Sequence, residues 1–215
     1  MQLYLSSYGL GQDTAALTQW LRAHGQEILL IPSARDHSPS AGMVQWDQEA
    51  LEALGLSVRL LPLERWFGNA EGLRREIGGC RAFFVGGGNV FVLRKAMELS
   101  GFDEFLREIA QEDDSFYGGY SAGICVLAPS LRGLEKVDQP HNPYDDSSIL
   151  YDGMGLLDFL PIPHYQSDHP ESRLIDSVVS HCRRRRISYR TLRDGDVLLL
   201  DTTKRGTTHE DHGVL

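Results

Sequence analysis

The chain has few of the features that mark exported, membrane-bound or nucleic-acid-binding proteins. Its 215 residues include only three cysteines, Cys80, Cys125 and Cys182, without paired spacing, which gives no support to a disulfide framework or a zinc site. No apolar run is long enough to span a bilayer, and residues 1–7 lack the basic region and apolar length of a signal peptide. Acidic residues outnumber basic ones by 30 to 21, giving a formal net charge of −9. We therefore expect a cytoplasmic protein that binds neither nucleic acid nor anionic membranes.

Short apolar stretches alternate with amphipathic ones along the first half of the chain. The apolar stretches indicate strands at residues 2–6, 27–31, 58–63, 81–85 and 116–119, and the stretches with helical spacing are residues 14–24, 44–54, 70–77, 90–99 and 102–111. This alternation predicts one α/β domain over residues 1–215, with a mostly parallel sheet and helices on both of its faces.

The second half of the chain is less regular. Residues 132–151 are rich in Asp, Pro, Asn and Gly and predict a long loop over the face at the carboxyl ends of the strands, where ligands bind in such sheets. A strand is expected at residues 157–162 and a helix at residues 171–182. Two further apolar stretches, residues 188–192 and 197–201, flank Asp194-Gly195 and predict a hairpin.

The most informative motif is Gly119-Tyr120-Ser121-Ala122-Gly123, which follows an apolar strand. Gly-x-Ser-x-Gly between a strand and a helix is typical of a nucleophile elbow, in which a sharp turn exposes the serine hydroxyl. Ser121 is therefore the candidate nucleophile, and the N–H of Ala122 is a candidate oxyanion donor. The alternative is a tight turn whose serine only caps the next helix.

A second candidate for the oxyanion hole is the turn Gly86-Gly87-Gly88-Asn89, which follows the predicted strand at residues 81–85. Glycines allow close approach of a ligand, and successive N–H groups at a helix start favour a developing negative charge. Phosphate binding is the alternative, although no Lys or Ser/Thr follows as in a P-loop and the spacing is not Gly-x-Gly-x-x-Gly.

Among the eight histidines, His164 is the preferred catalytic base, because it lies at the carboxyl end of an apolar strand, in Pro163-His164-Tyr165. The alternative is His209, which would complete the Ser, Asp, His order of an esterase-type α/β-hydrolase, with Asp194 or Asp201 as the acid. His209 and His212 also have a His-x-x-His spacing, but a frayed polar tail is the preferred interpretation, and no metal is expected.

Three motifs in this order, the glycine turn, the elbow and Pro163-His164-Tyr165, resemble the dipeptidase E and cyanophycinase family of serine peptidases. The resemblance spans residues 81 to about 200. It implies a fold like that of class I glutamine amidotransferases, a flavodoxin-like sandwich. It also implies that Ser121 attacks a peptide carbonyl, that His164 is the base, and that the N–H groups of Gly88 and Ala122 form the oxyanion hole. Neither a metal nor an organic cofactor is expected.

The family resemblance leaves the acid and the substrate contacts less defined. In dipeptidase E a late glutamate before a glycine orients the histidine, and Asp194 takes that place here, with Asp196 and Asp138 as alternatives. Arg173 corresponds to an arginine that helps to hold an N-terminal aspartate in that enzyme, so the resemblance implies a substrate-carboxylate contact for it. The residues expected to bind substrate are therefore Arg173 and Asn89.

Together these observations predict a serine exopeptidase that hydrolyses short peptides through an acyl-enzyme, with the residues Ser121, His164 and Asp194. A preference for N-terminal aspartate is the resemblance's further implication. The alternatives are the esterase that uses Ser121 and His209, and a non-catalytic relative that acts as a binding protein. The expected partner is a small peptide; the oligomeric state stays open, with a homodimer as one alternative.

Overall fold

The computed structural model describes residues 1–36, 41–144 and 149–202. The strands are β1 (Gln2–Ser6), β2 (Glu27–Ile31), β3 (Ser57–Leu60), β4 (Ala82–Val85), β5 (Phe116–Tyr120), β6 (Leu160–Ile162), β7 (Tyr189–Thr191) and β8 (Val197–Asp201). The α-helices are α1 (Ala15–His24), α2 (Ala41–Glu52), α3 (Ala70–Ile77), α4 (Val90–Ser100), α5 (Phe102–Ile109), α6 (Ala122–Cys125) and α7 (Ser172–Arg185). No helix in this part of the chain is long and apolar enough to cross a membrane.

The main sheet has six strands in the order β3-β2-β4-β5-β1-β8. The first five of these strands pair in parallel, and β8 pairs antiparallel with β1 at one edge. Parallel strands need crossover connections, and the helices between them supply these connections. The predicted mostly parallel α/β sheet is confirmed.

Both faces of the sheet are buried, and successive residues of each strand pack into two different cores. On β2, Leu29 and Ile31 belong to the larger core, which also contains apolar side chains of α3, α4, α5, α6 and α7. Ile28 and Leu30 belong to the smaller core, which Leu17 of α1 and Leu51 of α2 help to fill. A strand buried on both faces reads as a continuous apolar run, which is why β2, β4 and β5 were recognisable from sequence.

The predicted hairpin of the last two strands is wrong. β7 pairs in parallel with β6 in a separate two-stranded sheet, whereas β8 pairs with β1. A turn does reverse the chain there, since the amide of Asp196 donates to the carbonyl of Arg193 at 2.9 Å. The turn fixes where the chain reverses, but the open edge of β1 determines where β8 pairs, and that edge lies at the other end of the sequence.

Candidate active site

Ser121 lies on a strained turn between β5 and α6. Its φ and ψ are 50° and −117°, in a region that non-glycine residues rarely occupy. The two motif glycines make this turn possible: a Cβ at Gly119 would lie 2.8 Å from the carbonyl oxygen of Val85, and one at Gly123 would overlap that same carbonyl. Since such strain persists only where the surroundings enforce it, the turn has the character of a nucleophile elbow.

The glycine turn lies directly beside the elbow. β4 and β5 are neighbours in the sheet, with Val85 opposite Gly119, so the segments that follow them leave the sheet side by side. A Cβ at Gly87 would lie 3.1 Å from the Cβ of Ser121. Gly88 has a φ of 144°, and a Cβ there would overlap the carbonyl of Ala34. The backbone of this turn therefore passes close to Ser121 at Gly87, where a side chain would not fit.

His164 follows β6 and contacts the carboxylate of Asp194. The ring atom Nδ1 of His164 lies 2.8 Å from Oδ1 of Asp194, and the His164 side chain is 1% exposed. An ionised carboxylate can only accept, so Nδ1 carries the proton in this pair and Nε2 is left as the basic nitrogen. His164 also lines the cleft that contains Ser121. The His164–Asp194 pair has the geometry of the base and acid in a serine, histidine and aspartate triad.

Of the three carboxylates weighed for the acid, Asp194 is the one that contacts His164. Asp196 lies in the same turn, but its carboxylate accepts the backbone N–H of Arg193 at 2.8 Å and is exposed. The carboxylate of Asp138 accepts the backbone N–H of Val90 at 2.8 Å, at the start of α4. Asp194 is in turn held by its own amide, which donates to Oγ of Ser167 at 2.8 Å.

Ser7, which follows β1, forms hydrogen bonds with both His164 and Asp194. Its hydroxyl donates to Oδ1 of Asp194 at 2.8 Å and accepts the backbone N–H of His164 at 2.9 Å. Ser7 is fully buried. The sequence analysis missed this residue, although its position directly after the first parallel strand is the signal that could have drawn attention to it.

The environment of His164 lowers its pKa below the ordinary value of 6.5. The largest cause is burial, which disfavours the imidazolium, and the second is the neighbouring His169. The hydrogen bond to Asp194 and the charges of Asp194 and Glu171 act in the opposite direction without cancelling these effects. His164 is therefore neutral at pH 7, as a general base must be before it accepts a proton.

The ring of His169 stacks on the ring of His164. The two centroids are 3.7 Å apart, and the planes differ by 12°. Together with Glu171 these histidines bring three donor atoms within 4.8 Å of one another, a spacing that could suit a metal ion. However, a metal ion binds in the plane of an imidazole ring, and two parallel rings at this distance cannot both direct their lone pairs at one ion. The stack thus suits two packed rings better than two ligands.

The cleft at Ser121 has a volume of about 440 Å³. Its charged lining residues are Arg35, Asp138 and Glu171. Burial is the main cause that raises the pKa of Asp138 to about 7, and the charge of Glu171 adds to it. Residues 137–139 of the predicted active-site loop line this cleft, so this part of the loop does lie over the site.

The two predicted substrate-binding residues differ in their placement. The Asn89 amide lines the cleft, but its Oδ1 accepts the N–H groups of Phe91 and Val92, and its Nδ2 donates to the carbonyl of Gln139. Arg173 is exposed and lines a neighbouring cavity, whose wall His169 shares with the serine cleft.

Two predictions fall outside the described residues. His209, the alternative base, and His212, its partner in the His-x-x-His spacing, both lie beyond residue 202. Asp201, an alternative acid for that arrangement, is at the end of β8, where one carboxylate oxygen accepts the Gln2 side-chain amide at 2.9 Å.

Comparison with known proteins fits this geometry. The sequence profile of peptidase family S51 matches residues 9–205. The chain belongs to peptidase family S51. It is thus a serine-type peptidase, and the resemblance to dipeptidase E is confirmed.

Relatives of this S51 peptidase carry peptidase names. It is 27% identical to an uncharacterized peptidase of Listeria innocua over 157 residues, and this aligned stretch covers 73% of this chain and 72% of that protein. It is 28% identical over 152 residues to a "probable alpha-aspartyl dipeptidase" of Drosophila melanogaster, over 70% of this chain and 57% of the relative. The crystal structure of a "putative peptidase E" from Listeria monocytogenes superimposes with a TM-score of 0.71 at 23% identity, covering 93% of this chain and 98% of that one, and so shows the same fold.

Proposed function

We propose that this S51 peptidase is a serine exopeptidase that cleaves short peptides through an acyl-enzyme on Ser121. The observation that carries the proposal is the convergence of the strained serine, the glycine turn and the His164–Asp194 pair on one cleft. A cleft of about 440 Å³ is near the lower end of the range of about 300–1,000 Å³ that small-molecule sites occupy. This size favours a short peptide over a folded protein segment.

The proposed reaction has two halves. His164 Nε2 takes the hydroxyl proton of Ser121 while Oγ forms a bond to the peptide carbonyl carbon, and the N–H groups of Gly88 and Ala122 stabilise the oxyanion. The C–N bond then breaks as His164 gives the proton to the leaving amine. Water, deprotonated by His164, attacks the ester in the second half and releases Ser121. Asp194 keeps the proton on Nδ1 throughout, so Nε2 is always the nitrogen that exchanges.

An exopeptidase must recognise the free end of its substrate, and two carboxylates of the cleft suit an ammonium group. Asp138 and Glu171 both line the cleft, and the charge of Glu171 disfavours ionisation of Asp138. A substrate ammonium between them would relieve this repulsion and form charge-assisted hydrogen bonds. We therefore assign the N-terminal amine of the peptide to this pair.

A preference for N-terminal aspartate needs a cation near the scissile bond, and the chain offers two. Arg35 lines the serine cleft, but its guanidinium already contacts Asp47 at 3.2 Å and donates to the hydroxyl of Tyr120 at 2.6 Å. Arg173 lies in the adjoining cavity, with an exposed side chain. Arg173 is the better candidate, because it has no ion pair within the described part of the chain, so that its guanidinium can form a bidentate contact with a substrate carboxylate.

Two experiments test the proposal. The first is labelling with a fluorophosphonate, which should modify the wild-type protein but not Ser121→Ala. The control is Ser177→Ala, which changes an exposed serine of α7 and should still be labelled. Labelling that survives in Ser121→Ala would refute the acyl-enzyme.

The second experiment is a dipeptide and tripeptide library, with release of the N-terminal amino acid as the readout. Arg173→Ala should raise KM for aspartyl dipeptides more than for alanyl dipeptides, whereas Arg184→Ala, on the exposed end of the same helix, should change neither. An unchanged ratio of the two substrates in Arg173→Ala would contradict the role of Arg173.

A further inference from the structure

Among the described residues, the imidazole ring of the proposed base His164 has one hydrogen bond, to Asp194. The torsion that sets the plane of a histidine ring is intrinsically broad, so rotamer preference does not hold that plane. The bond from Nδ1 to Asp194 at 2.8 Å fixes one corner of the ring but leaves it free to tilt about that corner. A transfer of the serine proton to Nε2 needs a defined direction, so a second contact must restrain the tilt.

His169 supplies a contact of this kind across the whole face of the ring. Its centroid lies 3.7 Å from that of His164, with the planes 12° from parallel. Tyr8 packs against both rings, at 6.0 Å from His164 and 5.6 Å from His169. His164 is thereby left with 1% of its surface exposed, whereas the His169 side chain keeps 23%.

The start of α7 holds His169 in this position. The backbone N–H of Ser172 donates to the carbonyl of His169 at 3.0 Å, and the N–H of Glu171 donates to its ring atom Nδ1 at 3.3 Å. A backbone N–H can only donate, so Nδ1 of His169 accepts and carries no proton. The geometry therefore corresponds to the neutral ring of His169, with its proton on Nε2.

The charge of His169 matters because His164 becomes an imidazolium during each turnover. The titratable groups around the two rings are Asp194 from the turn before β8, Glu171 from the start of α7, and Tyr8 from the segment after β1. A neutral ring at 3.7 Å tolerates the transient cation, whereas a protonated one would repel it. The charge of a protonated His169 lowers the pKa of His164, and only burial has a larger effect.

We propose that His169 is a positioning residue for the catalytic base: its stacked ring fixes the plane of His164 so that Nε2 is directed at Ser121, and in its neutral form it leaves His164 free to accept the serine proton. The inference rests on the proposed serine mechanism. It assigns to His169 no contact with the reacting atoms.

The test compares His169→Ala, which removes the ring, with His169→Phe, which keeps a flat ring that cannot take up a proton. His24→Phe is the matched control, because His24 also lies in a parallel stack, 4.3 Å from Trp20, on α1. For each full-length protein, kcat and KM on a cleaved dipeptide are measured from about pH 5 to about pH 9. The titration of the His164 ring is followed separately by NMR, with its signal assigned by its absence in His164→Gln.

The expected result is a kcat about 10- to 100-fold lower in His169→Ala with KM nearly unchanged, and recovery of most of that loss in His169→Phe. In His169→Phe the His164 titration should move to higher pH, and the acid limb of kcat/KM should move with it, because a ring that repels the imidazolium when it is itself protonated has been removed. The control should show neither effect.

Wild-type kcat in His169→Ala would overturn the inference, and so would an unshifted His164 titration in His169→Phe. Absence of peptide cleavage by the wild-type protein would refute the proposed function instead, and the NMR titration would still test the coupling of the two rings.

Discussion

Replacing Ser7 by alanine should remove an anchor that His164 and Asp194 share, without changing either residue. The Ser7 hydroxyl has three contacts. It donates to Asp194, accepts the backbone N–H of His164, and lies 3.3 Å from the carbonyl of Leu192. A hydroxyl has one proton, and the 2.8 Å contact with the carboxylate is the stronger of its two acceptors. Alanine removes this link and leaves the N–H of His164 without its partner.

The size of the effect on stability follows from these two bonds. Leaving a buried N–H unsatisfied costs about 1–3 kcal/mol. The Asp194 side chain is 25% exposed, so water can replace the lost donor there, and that bond should contribute only about 1 kcal/mol. We expect Ser7→Ala to lower the free energy of unfolding by about 2–4 kcal/mol, which is a large share of the about 5–15 kcal/mol of a typical domain.

Activity should fall as well, since His164 and Asp194 lose a common anchor. A displacement of the base by a fraction of an ångström should reduce kcat by about 10- to 100-fold, with a smaller change in KM.

The assay is urea unfolding of the wild type, Ser7→Ala and Ser6→Ala, with kcat measured on the same preparations. Ser6 is the matched control: it is also fully buried, but its hydroxyl contacts only the nearby carbonyl of Tyr8, at 3.2 Å, among the hydrogen bonds of the described residues. The midpoint should fall in Ser7→Ala at an unchanged m-value. If Ser7→Ala matches Ser6→Ala in both stability and kcat, the argument for Ser7 as an anchor is refuted.

Three further predictions concern the acid, the elbow and the loop carboxylate. Asp194→Asn should reduce kcat by about 10⁴-fold, because an amide N–H facing Nδ1 favours the tautomer with its proton on Nε2; steady-state kinetics that show a loss below tenfold would contradict this role. Gly123→Ala should destabilise the fold by several kcal/mol or prevent folding, since the new Cβ would overlap the Val85 carbonyl. The control Gly42→Ala, on α2 with open space around it, should stabilise the protein slightly, and urea midpoints compare the two variants. The pKa of Asp138 is about 7 in the folded protein against an ordinary value of 3.8, so its ionisation costs stability that grows as the pH rises between these values and persists above them. Asp138→Asn should therefore gain about 4 kcal/mol at pH 8 and nothing near pH 3, while raising KM, and equal gains at both pH values would exclude this cause.

The local features of this peptidase could be predicted because each is encoded in a few consecutive residues. The alternation of apolar and amphipathic stretches predicted the α/β sheet, and the elbow at Ser121 follows from glycines that a sharp turn needs. The position of His164 at the end of a strand could likewise be predicted, since catalytic groups collect at the carboxyl ends of parallel strands. These signals depend on spacing within one element and its turn.

The contacts that complete the site were decided by the tertiary structure. Ser7 and Asp194 are separated by 187 positions in the sequence, and they meet only because β8 pairs with β1 instead of with β7. His169 lies just before α7 in the sequence, yet the fold places its ring on that of His164. No local pattern distinguishes these roles from ordinary ones. The sequence alone determined the turn at Ser121 and the class of sheet. Strand pairing across the whole chain decided which groups surround His164. This could not be predicted locally, because the open edge that receives a strand is a property of the assembled sheet.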